Sequence, residues 1–129
     1  KEALETVAQA RIILGPHMNI QVPPNLSFSP GDPRYLEFLN AGINDWGGIS
    51  PVTIDYVNPE APWPHLAQMY REMQQKNFQL KARFPIYPEY IREKSHYLPI
   101  TLRKRLGVDA DPQGFLPQAE IQALLEDRQ

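Results

Sequence analysis

Prolines divide this chain into short segments that loops must join. Fourteen of its 129 residues are proline, about twice the usual share in soluble proteins. Gly15-Pro16 and Pro23-Pro24 each follow a patterned run and end it, because proline fixes one backbone angle and has no N–H to donate. The chain is therefore expected to form short elements connected by long, stiffened loops.

Helical and strand patterns alternate between these breaks. Apolar spacing predicts one helix that ends at Leu14, a second that is capped by Asp32 and closed by Gly42, and a third from Pro64. The apolar stripe of the third helix is Leu66, Met69, Tyr70 and Met73. Alternating polar and apolar residues predict three strands, Met18–Val22, Ile43–Trp46 and Gln79–Phe84. Short helices are expected over residues 86–93, 99–106 and 117–127.

Strands that alternate with helices predict βαβ units, which form a parallel sheet with right-handed crossovers. The expected fold class is therefore α/β, with about three parallel strands, flanking helices and a helical tail. Residues 1–94 form the α/β part in this interpretation, and residues 95–129 form the tail. Gly114 and Pro112 predict a turn before the last helix.

One face of each predicted strand is polar. Gln21 alternates with Ile20 and Val22, and Lys81 and Arg83 occupy the polar face of the third strand. Parallel strands that are covered on both sides are usually apolar throughout. Two explanations remain open, a sheet with one solvated face or a set of strands that lines a wet barrel interior.

Composition excludes several classes of partner and site. The net charge is −2, which gives no bulk attraction to nucleic acid or to anionic membranes. No apolar run approaches the roughly 20 residues of a membrane span, and no secretory signal is present at the start. The chain has no cysteine, so it holds no disulfide, thiolate metal site or cysteine nucleophile. These features fit a cytoplasmic protein.

The run GINDWGGISPVTIDYVNPEAPWP, residues 42–64, carries a family resemblance. Together with IQVPPNLS upstream and YPEYI downstream, it resembles the radical-SAM subunit of deazaflavin synthase, which makes 7,8-didemethyl-8-hydroxy-5-deazariboflavin, FO, for coenzyme F420. The resemblance covers residues 2–92, and the DWGG and VNPE segments are its most specific parts. A related subunit that adds tyrosine to the ribityl-uracil shares the general scheme without the DWGG-I-S-P run.

The resemblance implies an incomplete TIM-like (β/α) barrel, with S-adenosylmethionine on a [4Fe-4S] cluster held by a CxxxCxxC loop. This chain has no such loop, and thiolates hold such clusters. Because the sequence also begins with Lys1 inside a helical pattern, we expect the C-terminal βα units of a longer lyase. That enzyme would close the deazaflavin ring on the 4-hydroxybenzyl adduct of a ribityl-uracil.

Several candidate residues follow the second predicted strand. The resemblance favours Asp45 as a catalytic carboxylate, which would accept a proton or bind ribityl hydroxyls, and Gly47 and Gly48 as backbone contacts to S-adenosylmethionine or substrate. Asn44 and Ser50 complete this group. The alternatives are a loop-capping role for Asp45 and a tight turn for the glycines. Because Asn44 alternates with Asp45, at most one of the two points inward.

The remaining candidates lie near the ends of the other strands. Gln21 and Asn25 offer amides that suit a uracil edge, although Asn25 also fits a turn. Arg83 is expected to bind a carboxylate, and Tyr87 to stack on an aromatic ring, with core packing as the alternative. Trp46 and Trp63 are interpreted as loop anchors. The histidines, His17, His65 and His96, lack metal-ligand spacing, so no metal site is expected.

Two functional hypotheses remain open, an enzyme fragment that is inactive alone and a binding module that retained the fold without the chemistry. The expected partners are the small-molecule substrate and the rest of the barrel. An incomplete barrel leaves strand edges and apolar faces uncovered, so the fragment is also expected to self-associate.

Overall fold

The computed structural model describes residues 1–26, 32–50, 53, 55–57, 59–60, 63 and 65–121. Within them the chain forms two compact units, Lys1–Asn77 and Phe78–Gln129. Both units are rich in helix. No described helix is long and apolar enough to cross a membrane. The predicted boundary at residue 95 falls inside the second unit and stays a prediction.

Three α-helices and a 3-10 helix form the first unit: α1 at Glu2–Leu14, the 3-10 helix at Pro33–Leu36, α2 at Glu37–Ala41 and α3 at Leu66–Gln75. Both predicted caps are confirmed. The carboxylate of Asp32 accepts from the Arg34 N–H at 2.9 Å, and Pro33 occupies the first position. Gly42 ends α2 with φ 110°, a backbone angle that residues other than glycine rarely adopt.

The core of this unit is built on α2 and α3. Phe38 and Met69 are fully buried, and Met73 is 4% exposed. Burial of Met69 and Met73 confirms the inner part of the predicted stripe, while Leu66 and Tyr70 are half-buried. Helix α1 is less well covered, since Val7 is its buried residue.

The three predicted strands do not form regular β-strands among the described residues, so this prediction is wrong. The first two segments meet at one isolated parallel bridge between Gln21 and Asp45. Val22 N–H donates to Asp45 O at 3.2 Å and Asn44 N–H to Ile20 O at 3.1 Å, so the parallel direction was correct. Pairing stops because Pro23-Pro24 offers no N–H donor, and because the Asn44 side chain takes the Ile20 N–H.

The third predicted strand, residues 79–84, is irregular. Its Ala82 O accepts from Leu116 N–H at 3.0 Å, so this segment pairs with the tail. No strand lies beside it among the described residues, and a single strand without neighbours is not stable. The alternation of polar and apolar residues was therefore insufficient evidence for a sheet.

Short helices and a tight turn form the second unit: α4 at Pro88–Arg92, a 3-10 helix at Ser95–Tyr97 and α5 at Ile100–Asp109. Residues 118–121 are helical, and the rest of the last predicted helix lies outside the described residues. The predicted turn is confirmed at Gly114, whose φ is 85°. Gly114 packs so closely on Pro88 that an added Cβ would lie 2.9 Å from the Pro88 carbonyl oxygen.

Candidate functional site

Five of the predicted site residues lie where the first two segments meet. The bridge places Gln21 beside Asp45, and Asn44, Gly47 and Gly48 lie within three residues of Asp45 in the chain. The two segments run parallel, so their carboxyl ends share one edge, as in α/β proteins whose ligands bind at such edges. We call Gln21, Asn44, Asp45, Gly47 and Gly48 the bridge edge.

Gly47 lies against the Gln21 side chain. A Cβ added at Gly47 would lie 3.6 Å from Gln21 Nε2, an ordinary contact distance, and a Cβ at Gly48 would meet no described atom within 4 Å. Neither glycine has a positive φ, so neither supplies a left-handed turn. Gly48 leaves open space in which a ligand could approach its backbone closely.

Asn44 connects the two segments through its side chain. Its Oδ1 accepts from Ile20 N–H at 2.9 Å, and its Nδ2 donates to Asn19 Oδ1 at 2.7 Å. Asn44 is exposed, whereas Asp45 and Gly47 are half-buried. The Asn44 amide therefore takes part in the pairing between the segments. Asp45 is better placed than Asn44 to contact a ligand at the bridge edge.

Asn25 lies just beyond this edge and is paired with an acid that the sequence analysis did not single out. Asn25 Nδ2 donates to Asp55 Oδ2 at 2.9 Å, and the two residues are 7% and 8% exposed. Asp55 Oδ1 also accepts from Val57 N–H at 2.9 Å. An acid in a proline-rich loop was the available signal, but its partner is 30 residues away.

Ser50 contacts its own loop. Its Oγ accepts from Thr53 N–H at 3.0 Å and lies 2.7 Å from Thr53 Oγ1. Such a bond between a hydroxyl and a nearby backbone N–H stabilises a turn. Ser50 therefore shapes the chain shortly after Gly48, and its role toward a ligand stays a prediction.

Trp46 anchors the bridge edge to the core, as predicted. The indole is 7% exposed, donates to Met73 Sδ at 3.4 Å and packs edge-on against Tyr35 with ring centroids 5.4 Å apart. Tyr35 OH in turn donates to Glu72 Oε2 at 2.6 Å. Burial, followed by the bond to Glu72, raises the pKa of Tyr35. Sequence reasoning missed this Tyr35–Glu72 bond, which joins α3 to the 3-10 helix.

Arg83 and Tyr87 belong to the second unit and are paired with each other. The Arg83 guanidinium carbon lies 4.5 Å from the centre of the Tyr87 ring, a cation–π contact. Arg83 also donates to Phe84 O at 2.8 Å. Lys81 contacts Gln113 and lies over the Phe115 ring, so Lys81 contacts the tail.

The donors of the chain decide which cofactors it can hold. It contains no cysteine, so it does not fit a [4Fe-4S] cluster, whose irons need thiolates. The described residues contain no cluster of His, Asp and Glu suited to a metal ion, and the three histidines are exposed. An amide, a carboxylate and open backbone at the bridge edge offer hydrogen-bond donors and acceptors to a polar small molecule.

Comparison with known proteins gives a consistent family of relatives. The chain is 48% identical over 115 residues to the 7,8-didemethyl-8-hydroxy-5-deazariboflavin synthase of Methanopyrus kandleri, covering 88% of this chain and 32% of that protein. It is 41% identical over 119 residues to the FO synthase of Streptomyces avermitilis, covering 92% of this chain and 13% of that protein. No family model and no solved structure matches the chain.

A further relative is the 7,8-didemethyl-8-hydroxy-5-deazariboflavin synthase of Methanococcus aeolicus. It is 44% identical over 90 residues, which are 70% of this chain and 24% of that protein. The chain thus spans about a third or less of the length of these relatives. Over the part it shares with them, the chain belongs to the deazaflavin (FO) synthase family.

Proposed function

We propose that this chain is part of a radical-SAM lyase that forms FO from 5-amino-5-(4-hydroxybenzyl)-6-(D-ribitylimino)-5,6-dihydrouracil in coenzyme F420 biosynthesis. In this proposal it supplies the C-terminal βα units of a TIM-like barrel, and the rest of the barrel is its partner. The observation that carries the proposal is the parallel bridge between Gln21 and Asp45. The bridge joins two segments of a chain that is 48% identical to the 7,8-didemethyl-8-hydroxy-5-deazariboflavin synthase of Methanopyrus kandleri.

The chain's own share of the work is binding and orientation. S-adenosylmethionine would supply hydrogen abstraction by its adenosyl radical, and the cluster that this chemistry needs would be held by another part of the enzyme. Cofactors carry such chemistry, while protein groups orient the reactants and exclude water. We assign Asp45 to bind the ribityl hydroxyls or to accept a proton from the substrate. We assign Gln21 to form hydrogen bonds with an amide-like edge of the uracil.

The other candidates have supporting roles in this proposal. Gly48 would let the backbone approach the ligand, because a side chain there would occupy the open space. Within the second unit, Arg83 would bind a carboxylate, with its guanidinium over the Tyr87 ring. Asn44 and Ser50 would support the shape of the site through the bonds they make.

A chimera tests the proposal directly. The aligned residues of the Methanopyrus kandleri synthase are replaced by this chain, and iron content and FO formation are measured after reduction with S-adenosylmethionine. We expect the chimera to bind iron and form FO, while the isolated chain does neither. A chimera that folds and binds iron but forms no FO would contradict the proposal and favour the binding module.

Site variants of the same chimera test the assigned roles. We expect Asp45→Asn to lower kcat about 10²-fold if Asp45 transfers a proton, and to raise KM with kcat unchanged if it binds ribityl hydroxyls. The matched control is Asp109→Asn, an exposed acid on α5, which should leave both constants unchanged. Equal effects of the two variants would remove Asp45 from the site.

A further inference from the structure

One acid stands apart in the loop that follows the bridge edge. Between Ser50 and α3, Asp55 is buried at 8% exposure, whereas its described neighbours Tyr56 and Val57 are 80% and 86% exposed. Burying a carboxylate is costly unless hydrogen bonds satisfy it. This burial therefore needs a reason other than apolar packing.

Asn25 and the loop backbone supply that reason. Each oxygen of the Asp55 carboxylate accepts one bond, Oδ2 from the Asn25 side chain and Oδ1 from Val57 N–H. The bond from Asn25 joins Asp55 to the residues that follow Gln21, in what we call the first bridge segment. The bond from Val57 N–H joins Asp55 to the backbone two residues later in the same loop. A charge-assisted bond of this kind is stronger than a neutral one, so the pair fixes residues 55–57 beside residue 25.

We propose that Asp55 is a positioning residue of the FO synthase site, which it serves by holding residues 55–57 against Asn25 at the end of the first bridge segment. The inference rests on the proposed function for its role, but the pair itself can be tested without turnover. In this role Asp55 does not touch the substrate. Its carboxylate sets where residues 55–57 lie relative to Asn25, and thereby the affinity for substrate.

The reciprocal exchange of the two side chains separates positioning from direct contact. In the variant N25D/D55N, Asn at 55 still accepts from Val57 N–H through its oxygen and donates through its nitrogen to the acid at 25. The amide–carboxylate bond is thus kept with its direction reversed. Asn25→Asp alone places two acids face to face, and Asp55→Ala removes the acceptor altogether.

The first measurement uses the full chain alone and follows proteolytic cleavage in the loop. We expect Asn25→Asp and Asp55→Ala to be cleaved about tenfold or more faster than the wild type, given the usual cost of breaking a buried charged bond. N25D/D55N should return to within about threefold. Glu60→Gln, an exposed acid of the same loop, is the matched control and should match the wild type.

The second measurement uses the chimera and compares KM with kcat for FO formation. Misplacement of the loop should raise KM about tenfold in the single variants and restore it in N25D/D55N, whereas a purely structural loss would lower the amount of active enzyme without changing KM. Single variants that match Glu60→Gln in cleavage, or an exchange variant as impaired as the single ones, would overturn the proposal. A chimera without any FO formation would instead contradict the proposed function, and the cleavage rates would still decide the pair.

Discussion

The two units of this protein are stabilised in different ways. The first unit, Lys1–Asn77, has an apolar core in which Phe38 and Met69 are fully buried. Among the described residues of the second unit, Leu106 and Ile121 are the buried apolar side chains, and polar contacts shape the rest. Asp111, for example, accepts from the backbone N–H groups of Gln113 and Phe115.

This difference matters because the bridge edge lies in the unit with the apolar core. Trp46, between Asp45 and Gly47, is fixed by Tyr35 and Met73, so the backbone of the site is attached to the most buried part of the protein. Sites are precise when packed elements hold them. The four predictions below test the contrast, beginning with the largest expected effect.

Loss of the Phe38 ring should damage the first unit most. Phe38→Ala leaves a cavity in a fully buried position, and we expect the free energy of unfolding to fall by about 3–5 kcal/mol. Phe78→Ala is the control, because Phe78 is 37% exposed and should change stability by less than half as much. Urea unfolding measures both, and equal losses would contradict the contrast between the units.

Arg11 should be the most important polar residue of the first unit. Its guanidinium donates to the carbonyls of Gly42 at 2.8 Å, Gly15 at 2.6 Å and Met18 at 2.8 Å. It therefore joins α1 to the starts of both bridge segments. Arg11→Ala should cost about 2 kcal/mol, with Gln9→Ala on the exposed side of α1 as the control. A thermal unfolding curve that does not separate these two variants would exclude this role.

Two glycines with positive φ offer a matched pair. Gly42→Ala meets Arg11 Cγ at 2.6 Å, whereas Gly15→Ala meets no described atom within 4 Å. Both variants strain the backbone by about 1–3 kcal/mol, Gly42 as a left-handed residue and Gly15 because its ψ of 179° lies in a region that is essentially confined to glycine. Gly42→Ala should lose about 1 kcal/mol more because the Arg11 side chain, which donates to three carbonyls, must also move. Chemical denaturation of both variants tests this order, which a larger loss for Gly15→Ala would reverse.

Tyr35 should give a small effect with a distinct pH dependence. Burial and the bond to Glu72 raise its pKa above the ordinary value of 10.0. The folded state therefore favours the protonated phenol, so this contribution is complete below pH 10.0 and is lost as the pH rises toward the folded-state pKa. Tyr35→Phe should cost about 1 kcal/mol at neutral pH.

The measurement for Tyr35 is stability against pH from 8 to about 11. We expect the loss above pH 10.0 to be steeper in the wild type than in Tyr35→Phe. Tyr97→Phe is the control, since Tyr97 is 69% exposed. Parallel curves of stability against pH for the wild type and Tyr35→Phe would show that protonation of the Tyr35 phenol is not coupled to unfolding.

Local features of the fold could be predicted from the sequence, and distant contacts could not. The Asp32 cap and the Gly42 helix end depend on residues within a few positions, so the sequence alone located them. The burial of Met69 and Met73 followed from helical spacing. The strands failed because a strand needs a neighbour, and alternation says nothing about whether one is available.

The candidate site divides in the same manner. Asp45, Gly47 and Gly48 were proposed as site residues from a run of neighbouring residues, and the structure places Gln21, another candidate, beside Asp45. Asp55 was missed because its partner, Asn25, is distant in sequence. The role of Arg11 was also missed, because its charged end binds the Gly42 carbonyl, 31 residues away.

The sequence by itself determined the cap at Asp32 and the helix end at Gly42, the absence of any cysteine for a thiolate site, and which family of synthases the chain matches. The tertiary structure decided which segments pair, which polar groups are buried together and which unit has the apolar core. The physical reason is that caps and turns are formed between near neighbours. The bonds Ile20–Asn44, Asn25–Asp55 and Arg11–Gly42 instead join residues 24, 30 and 31 positions apart, which only folding brings together.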